Sequence, residues 1–170
     1  MNIFATSPWP AESAICLPDK HIVKMPLECC QMLSIVGSKW YHGYGDLHKT
    51  SGDAYATAKG AFRNHPCTQW AAKSIDNAYW LIKHGMNLCD EYYLRYGKAH
   101  SCYNTLLEAY YLFPKGKINK VTPFARAMPD EYKLDESIDT FTAYKKYINS
   151  KTWVRDNYLR MPLRKPSWIN

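Results

Sequence analysis

Apolar residues recur through most of the chain at intervals of three and four positions, the spacing that gathers side chains on one face of an α-helix. The clearest run covers residues 17–33, where Ile22, Met25 and Leu33 are among the apolar positions. Alternation with a period of two, which is typical of a half-buried strand, is nearly absent. The pattern therefore predicts an all-α fold.

Capping residues and prolines divide these runs into about five main helices. A short helix is expected from Ser7 to about residue 17. The lead helix is expected to start near Pro18 or Asp19, to be kinked by Pro26, and to end at residue 36 with Gly37 as its cap. Further helices are predicted over residues 66–85, 87–96, 100–113 and 135–158.

The segments between the helices show no period. Residues 38–63 and 115–133 are predicted to be long loops, and residues 160–170 an extended, basic C-terminal tail. No internal repeat and no domain boundary interrupts the chain. Residues 1–170 are therefore predicted to form one compact helical bundle.

The composition excludes several classes of protein. A hydrophobic content of 46% with 15% aromatic residues excludes a disordered chain. A mean hydropathy of −0.46 and the lack of an apolar run of about 20 residues exclude a spanning helix. Residues 1–7 carry no basic side chain, unlike a secretory leader, so we expect a cytoplasmic protein, in the host cell if the source is viral.

The six cysteines never occur in Cys-x-x-Cys spacing, which favours buried free thiols over disulfides or a zinc site. The sequence contains no Walker loop, no Gly-x-Gly-x-x-Gly and no His-Glu-x-x-His. Its six histidines are scattered rather than spaced for one metal. We therefore expect neither a cofactor nor a metal ion.

The net charge of +7 is concentrated near the C-terminus, where residues 145–165 contain seven basic side chains and one acid, Asp156. Localised basic charge suggests a polyanionic partner. Aromatic rings on which bases can stack are interleaved with the cations. The alternative is that the tail is a strap packed on the core, and both descriptions can hold. The candidate DNA-binding residues of this segment are Trp153, Arg155, Arg160, Arg164, Lys165 and Trp168.

The lead helix carries a polar stripe among its apolar positions. His21, Lys24 and Glu28 follow one another at offsets of three and four residues, so they lie on one helix face. Such a stripe can line a cleft, with Glu28 as a general base or as the stabiliser of a cationic intermediate. Alternatively, Lys24 and Glu28 form an ordinary surface ion pair.

Two other places resemble anion sites. Arg63, Asn64 and His65 precede the helix that starts at Pro66, and a helix N-terminus offers free N–H groups to an anion. Arg95, Lys98 and His100 cluster at a helix junction, where they fit phosphate contacts. The alternatives are a well-capped helix at the first place and cations satisfying a helix C-terminus at the second.

Several short motifs together resemble a family of small uncharacterised proteins of phages and large DNA viruses. They are residues 2–4 (Asn-Ile-Phe), 19–25 (Asp-Lys-His-Ile-Val-Lys-Met), Glu28, 31–33, His65-Pro66 with Trp70, 95–98, 123–124 and 128–132. More distantly, the lead helix is similar to that of the pyrimidine-dimer DNA glycosylases of the endonuclease V class. His21 and Glu28 reproduce the His-x6-Glu spacing that leads to the catalytic glutamate of that family.

The resemblance implies a compact, all-α enzyme with a basic, aromatic C-terminus that approaches DNA. Family members use the α-amine of a small residue exposed by loss of the initiator methionine. Here residue 2 is Asn2, so we expect Met1 to be retained, and Leu27 and Gln31 replace two family arginines. The nucleophile is then the Met1 amine, a lysine such as Lys24, or water activated by Glu28.

The leading hypothesis is a DNA N-glycosylase, with or without lyase activity on abasic sites, that acts on a damaged or modified base. Glu28, His21 and Lys24 form its catalytic group, and the aromatic loop around residues 40–44 fills or flanks the gap left by an extruded base. Binding is assigned to Asn2, Arg63, Asn64, His65, Trp70, Arg95, Lys98 and His100. The alternatives are a glycosidic hydrolase of a free or signalling nucleotide and a non-catalytic viral protein that binds nucleic acid or nucleotides.

Overall fold

The computed structural model describes residues 1–170 and is built from seven α-helices without any strand, which confirms the all-α prediction. The helices are α1 (Pro10–Ile15), α2 (Asp19–Gly37), α3 (Pro66–Lys73), α4 (Ile75–Tyr96), α5 (Tyr103–Leu112), α6 (Asp130–Lys133) and α7 (Thr140–Asn149). Short 3-10 turns occur at Ala56–Lys59, Ile118–Lys120 and Pro162–Arg164. No helix combines the length and the apolar character that crossing a membrane requires.

The two longest helices, α2 and α4, pack against each other, and α1, α3 and α5 surround them. Their shared core is one continuous apolar cluster that includes the fully buried Ile22, Leu33, Trp80 and Leu81. The first residues of the chain also belong to this core, since Ile3 is completely buried. The N-terminus is thereby held against the middle of the bundle.

Helix α2 forms where the sequence predicts it, from Asp19 to Gly37, with Pro26 inside. Its buried side includes Ile22, Met25 and Leu33, as the apolar spacing requires. Gly37 is the last residue of the helix, and Ser38 is its cap. A Cβ at Gly37 would lie 2.9 Å from both the Phe113 ring and the Gly45 carbonyl, so this position is closely packed.

The predicted break at Gly85 is wrong. The chain instead breaks at Ser74, whose hydroxyl caps α4 by accepting the Asn77 N–H, and α4 then continues through Gly85 to Tyr96. Gly85 is required for packing, since a Cβ there would lie 2.6 Å from a Leu106 methyl. A glycine in a helix can therefore mark a close helix contact rather than a helix end.

The last long helix is shorter than predicted. Helix α7 covers only Thr140–Asn149, because the Asp139 carboxylate caps it at the Thr142 N–H and the chain turns after Ser150. Trp153 therefore lies beyond the helix instead of on its face. The loops at residues 38–63 and 115–133 are mainly irregular, as predicted, apart from the short 3-10 turns and α6.

All six cysteines are free thiols, and five of them are buried. No group of three or more His, Cys, Asp or Glu side chains is placed to hold a metal ion.

Candidate functional site

A cleft with a volume of about 370 Å³ opens beside the N-terminus. Three elements form it: the first residues of the chain, the N-terminal half of α2, and the segment around the end of α7. The first four residues and residues 147–153, which are more than 140 positions apart in sequence, thus line one cleft. The ionisable groups of the cleft are the Met1 amine, Lys20, His21, Lys24, Glu28 and Lys151.

Glu28 lies between two amines at the centre of this cleft. Its Oε2 is 3.7 Å from the Met1 α-amine, and its Oε1 is 3.4 Å from the Lys24 Nζ. The carboxylate side chain is 10% exposed, whereas the Lys24 side chain is 70% exposed. Buried Oε2 accepts no hydrogen bond within the protein, so one carboxylate oxygen faces the amine without a closer partner.

Asn2 fixes the position of the amine. Its Oδ1 accepts the N–H groups of Ile3 and Phe4 at 2.8 and 3.0 Å, and its Nδ2 donates to the Ala127 carbonyl at 2.7 Å. All of these partners are backbone groups, so the first turn of the chain is fastened on both sides. Asn2, which the sequence assigns to binding, lines the cleft, and the contacts of its amide within the protein position the terminal turn.

Aromatic rings form one side of the cleft. Phe4 stacks on the His21 ring at 4.3 Å, and Trp153 meets the same ring edge-on at 5.5 Å. Phe4 holds a backbone φ of +41°, a region that side chains other than glycine rarely adopt. The strained turn at residue 4 thus delivers the ring to His21.

His21 is an uncharged member of the site. Burial lowers the pKa of His21 to about 3, and the nearby Lys151 and Lys24 ammonium groups act in the same direction. The imidazole is therefore neutral at physiological pH. It can pack or exchange a hydrogen bond with a ligand, but it adds no positive charge.

The positive charge of the cleft comes from amines. Lys20 lies 4.6 Å from the centre of the Trp153 ring, and Lys151 and Lys24 lie on the same lining. Glu28 is the single acid among the lining residues. Such a surface suits a ligand with more than one negative charge, such as the phosphates on either side of a nucleotide.

His65 is the cap of α3 and is not one of the residues that line the cleft. Its Nδ1 accepts the Cys67 N–H at 3.1 Å, which caps the helix as predicted. Partial burial and the N-terminal ammonium lower the pKa of His65, while the Glu28 carboxylate opposes this shift. His65 is thus close enough to both groups to sense their charges.

The other predicted residues near His65 point to a neighbouring surface. Arg63 stacks its guanidinium on the Trp40 ring at 4.4 Å, and Asn64 is exposed beside it. Trp70 is buried, stacks on Phe124 and borders a second, shallower cavity rather than the cleft.

Arg95 lies in the interior, away from the cleft. Its side chain is 0% exposed, and it donates to the carboxylates of Asp19 and Glu91 and to two backbone carbonyls of the α1–α2 connection. The guanidinium therefore has no free surface to offer a phosphate. Lys98 is exposed after the end of α4, and His100 donates to the Val23 carbonyl at 3.0 Å, so this cluster does not converge with Glu28.

The C-terminal segment is divided between two roles. Trp153 belongs to the cleft, while Arg155 and Lys165 are exposed. Several contacts hold the residues after 158 on the bundle. Among them, Arg160 stacks on the Tyr96 ring at 5.0 Å, Arg164 donates to Glu91, and Trp168 packs against the core.

Five cleft residues were not assigned to the site from the sequence: Phe4, Lys20, Met25, Tyr147 and Lys151. The sequence could have assigned Lys20 to the site, since it precedes Lys24 by four residues on the same helix face. Tyr147 and Lys151 could not be assigned in this way, because only the tertiary packing of α7 brings them to the N-terminus.

An all-α scaffold that places a chain-terminal amine beside a buried carboxylate, with several lysines around them, defines a site for nucleophilic chemistry on an anionic substrate. A family model described as pyrimidine dimer DNA glycosylase matches residues 1–104. This match includes more than half of the chain, so the protein belongs to that family of DNA glycosylases, which are hydrolases of N-glycosyl bonds. No curated protein and no solved structure gives a significant match.

Proposed function

We propose that this protein removes a damaged or modified base from DNA, with the Met1 α-amine as nucleophile and Glu28 as its partner. The observation that carries the proposal is the 3.7 Å approach of the amine to the Glu28 carboxylate in a cleft lined by lysines. The match to the glycosylase family over residues 1–104 supports the same chemistry. Pyrimidine dimers are the substrate that the family description suggests.

The proposed first step is a substitution at the sugar. The neutral amine attacks C1′ of the target deoxyribose while the bond from C1′ to the base breaks, and the base leaves with the electron pair and takes a proton from solvent. The attacking nitrogen loses a proton to Glu28. A carboxylate beside C1′ also stabilises the positive charge that develops on the sugar.

The second proposed step accounts for lyase activity. Opening of the C1′–O4′ bond, with proton transfer to O4′ and loss of the remaining amine proton, converts the adduct into an imine. Removal of a C2′ proton then expels the 3′ phosphate by β-elimination, and water releases the enzyme. Glu28 is placed to shuttle these protons, because its Oε2 faces the amine.

Two arguments, one chemical and one structural, favour the Met1 amine over Lys24 as the nucleophile. Chain-terminal amines as a class are weaker bases than lysine side chains by about two to three pKa units, so a larger fraction is neutral at pH 7. Asn2 also fixes the terminal turn by three hydrogen bonds, whereas the Lys24 side chain is 70% exposed and free to move. The terminal amine is thus the better positioned nucleophile.

Borohydride trapping tests the proposal directly. Duplexes that carry a pyrimidine dimer, a modified base or an abasic site are incubated with protein and sodium borohydride, and the adduct is digested and mapped by mass spectrometry. We expect DNA attached to the peptide that begins with Met1. Attachment at Lys24, or base release without any adduct, would overturn the assignment of the nucleophile.

Three variants sharpen this test. Glu28→Gln keeps the side-chain size and is expected to lower turnover by about 10²- to 10⁴-fold, the usual range for a general acid–base group. A Gly-Ser extension before Met1 displaces the amine and is expected to abolish trapping. Lys133→Gln, at an exposed lysine of α6, is the matched control and should act like the unmodified protein.

A further inference from the structure

A second strained residue lies on the surface, between the 3-10 turn at Ala56–Lys59 and α3. Phe62 has a backbone φ of +62°, and its side chain is 56% exposed. A phenylalanine rarely adopts this left-handed conformation, so the surrounding turn holds the residue against its own preference. Neither the fold nor the proposed chemistry described so far requires this ring to be presented to solvent.

The turn that carries Phe62 is fastened on both sides. The His65 N–H donates to the Phe62 carbonyl at 3.0 Å, and the Arg63 guanidinium donates to the Gly60 carbonyl at 3.0 Å. The same guanidinium stacks on Trp40. The ring of Phe62 is therefore displayed from a rigid support rather than from a loose loop.

This support is attached to the proposed catalytic elements. The 3-10 turn just before it (Ala56–Lys59) packs on α2, where the hydroxyls of Thr57 and Ser34 are 2.6 Å apart. On its other side, His65 is close enough to the Met1 ammonium and Glu28 for both to shift its pKa. Phe62 thus lies in a segment that is fastened to α2, the helix that carries Glu28.

The charge around Phe62 matches a polyanion. Residues 29–45 and 54–75 contain no acidic side chain, whereas Lys39, Lys59, Arg63 and Lys73 are all exposed. The exposed rings of Trp40 and Tyr41 lie on the same surface, because the Tyr41 hydroxyl donates to the Arg63 carbonyl. Interleaved cations and aromatic rings are typical of surfaces that contact both the backbone and the bases of nucleic acids.

We propose that Phe62 inserts between stacked bases of duplex DNA next to the target nucleotide and holds that step open while the sugar occupies the cleft. This inference rests on the proposed function, since it gives that site its duplex contact. Apolar side chains that enter a base step replace part of the lost stacking and kink the duplex. The rigid, exposed ring of Phe62 and its basic surroundings fit this role.

The experiment compares Phe62→Ala with the unmodified protein on one modified nucleotide, placed either in a duplex or in the corresponding single strand. Opening a base step breaks stacking in a duplex but costs little in a single strand. We expect the variant to lose about tenfold to hundredfold of its turnover on the duplex, and less than about threefold on the single strand. Phe62→Leu keeps an apolar wedge and should recover most of the duplex activity.

A fluorescent probe gives an independent readout. With 2-aminopurine next to the target, binding of the unmodified protein should raise the fluorescence because the probe becomes unstacked, and binding of Phe62→Ala should not. Leu163→Ala is the matched control, because Leu163 is 98% exposed on the C-terminal segment and should affect neither measurement.

Each outcome has a defined meaning. Equal losses of Phe62→Ala on duplex and single strand, or no loss on the duplex, would overturn the wedge. Absence of both base release and trapping by the unmodified protein on every substrate would instead contradict the proposed function itself. Thermal unfolding of each variant checks that the fold is retained, which is expected because the ring is largely exposed.

Discussion

Arg95 on α4 donates from its Nη1 to the carboxylate of Asp19, the first residue of α2, at 3.1 Å inside the bundle. The same guanidinium reaches Glu91 one turn earlier, and Glu91 also receives two hydrogen bonds from Arg164 in the C-terminal segment. The start of the proposed catalytic helix, the longest helix and the tail are therefore joined by one buried network of charges.

Substitution of Arg95 should lower the stability of the protein. Arg95→Ala leaves two carboxylates without their buried partner, and we expect a loss of about 3–5 kcal/mol in the free energy of unfolding. Lys98→Ala, three residues later and exposed, should change it by less than about 0.5 kcal/mol. Urea denaturation followed by circular dichroism measures both. Similar small changes in the two variants would show that the network does not stabilise the fold.

The stability should fall as the solution is acidified. Burial lowers the pKa of His21 to about 3 and that of His84 to about 4, whereas both groups titrate near 6.5 when unfolded. Below pH 6.5 the unfolded chain binds protons that the folded protein does not, so acidification favours unfolding. Between pH 6.5 and 5 each histidine should remove about 1.5 kcal/mol.

The variant His21→Gln tests how much of this pH-dependent loss of stability comes from one histidine. It should show a weaker decline in the free energy of unfolding between pH 6.5 and 5 than the unmodified protein, by about the contribution of one group. Denaturation curves recorded at half-unit intervals provide the comparison. Equal declines in the variant and the unmodified protein would contradict the buried neutral state of His21.

Lys151 should contribute to DNA affinity through its charge. Lys151→Gln is expected to weaken binding to duplexes of any sequence, and to reduce by about one the slope of the logarithm of affinity against the logarithm of salt concentration. Lys120→Gln, at an exposed lysine of the 115–133 loop, is the matched control. Fluorescence anisotropy at several salt concentrations measures the slope. An unchanged slope would remove Lys151 from the phosphate contacts, and a salt-insensitive affinity would favour a small-nucleotide ligand.

The contact between Gly85 and Leu106 should appear as coupling between two substitutions. Gly85→Ala places a Cβ 2.6 Å from a Leu106 methyl and 3.2 Å from the Cys29 Cβ. Overpacking of this kind costs about 1–3 kcal/mol, despite the better helix propensity of alanine. In the Leu106→Ala background the same change should be neutral or stabilising. Additive effects in a double-mutant cycle would contradict the close contact.

The fold could be predicted from the sequence where local signals and packing agree. The start of α3 at Pro66 and the end of α4 at Gly97 follow the usual capping rules. Gly85 misled the prediction because its role is set by Leu106, a residue on another helix. The length of α7 was overestimated because Trp153 continues the apolar spacing after the helix has ended.

The site could be predicted only along one helix. The spacing of His21, Lys24 and Glu28 follows from helix geometry, and the structure places all three on one cleft. The approach of Met1 and Lys151 to this stripe depends on contacts between distant parts of the chain, which no local pattern encodes. The burial of Arg95 depends in the same way on acids from two helices.

The position of the Met1 amine has a consequence for how the protein becomes active. In the proposed mechanism the nucleophile is the first atom of the chain, so it is created by translation and by the enzymes that process nascent chains rather than by folding alone. Wherever Met1 carries a formyl or an acetyl group, the nitrogen is an amide and cannot attack a sugar carbon. Asn2 already holds the terminal turn in position. Removal of the formyl group from the new chain would then be the step that makes the proposed site active.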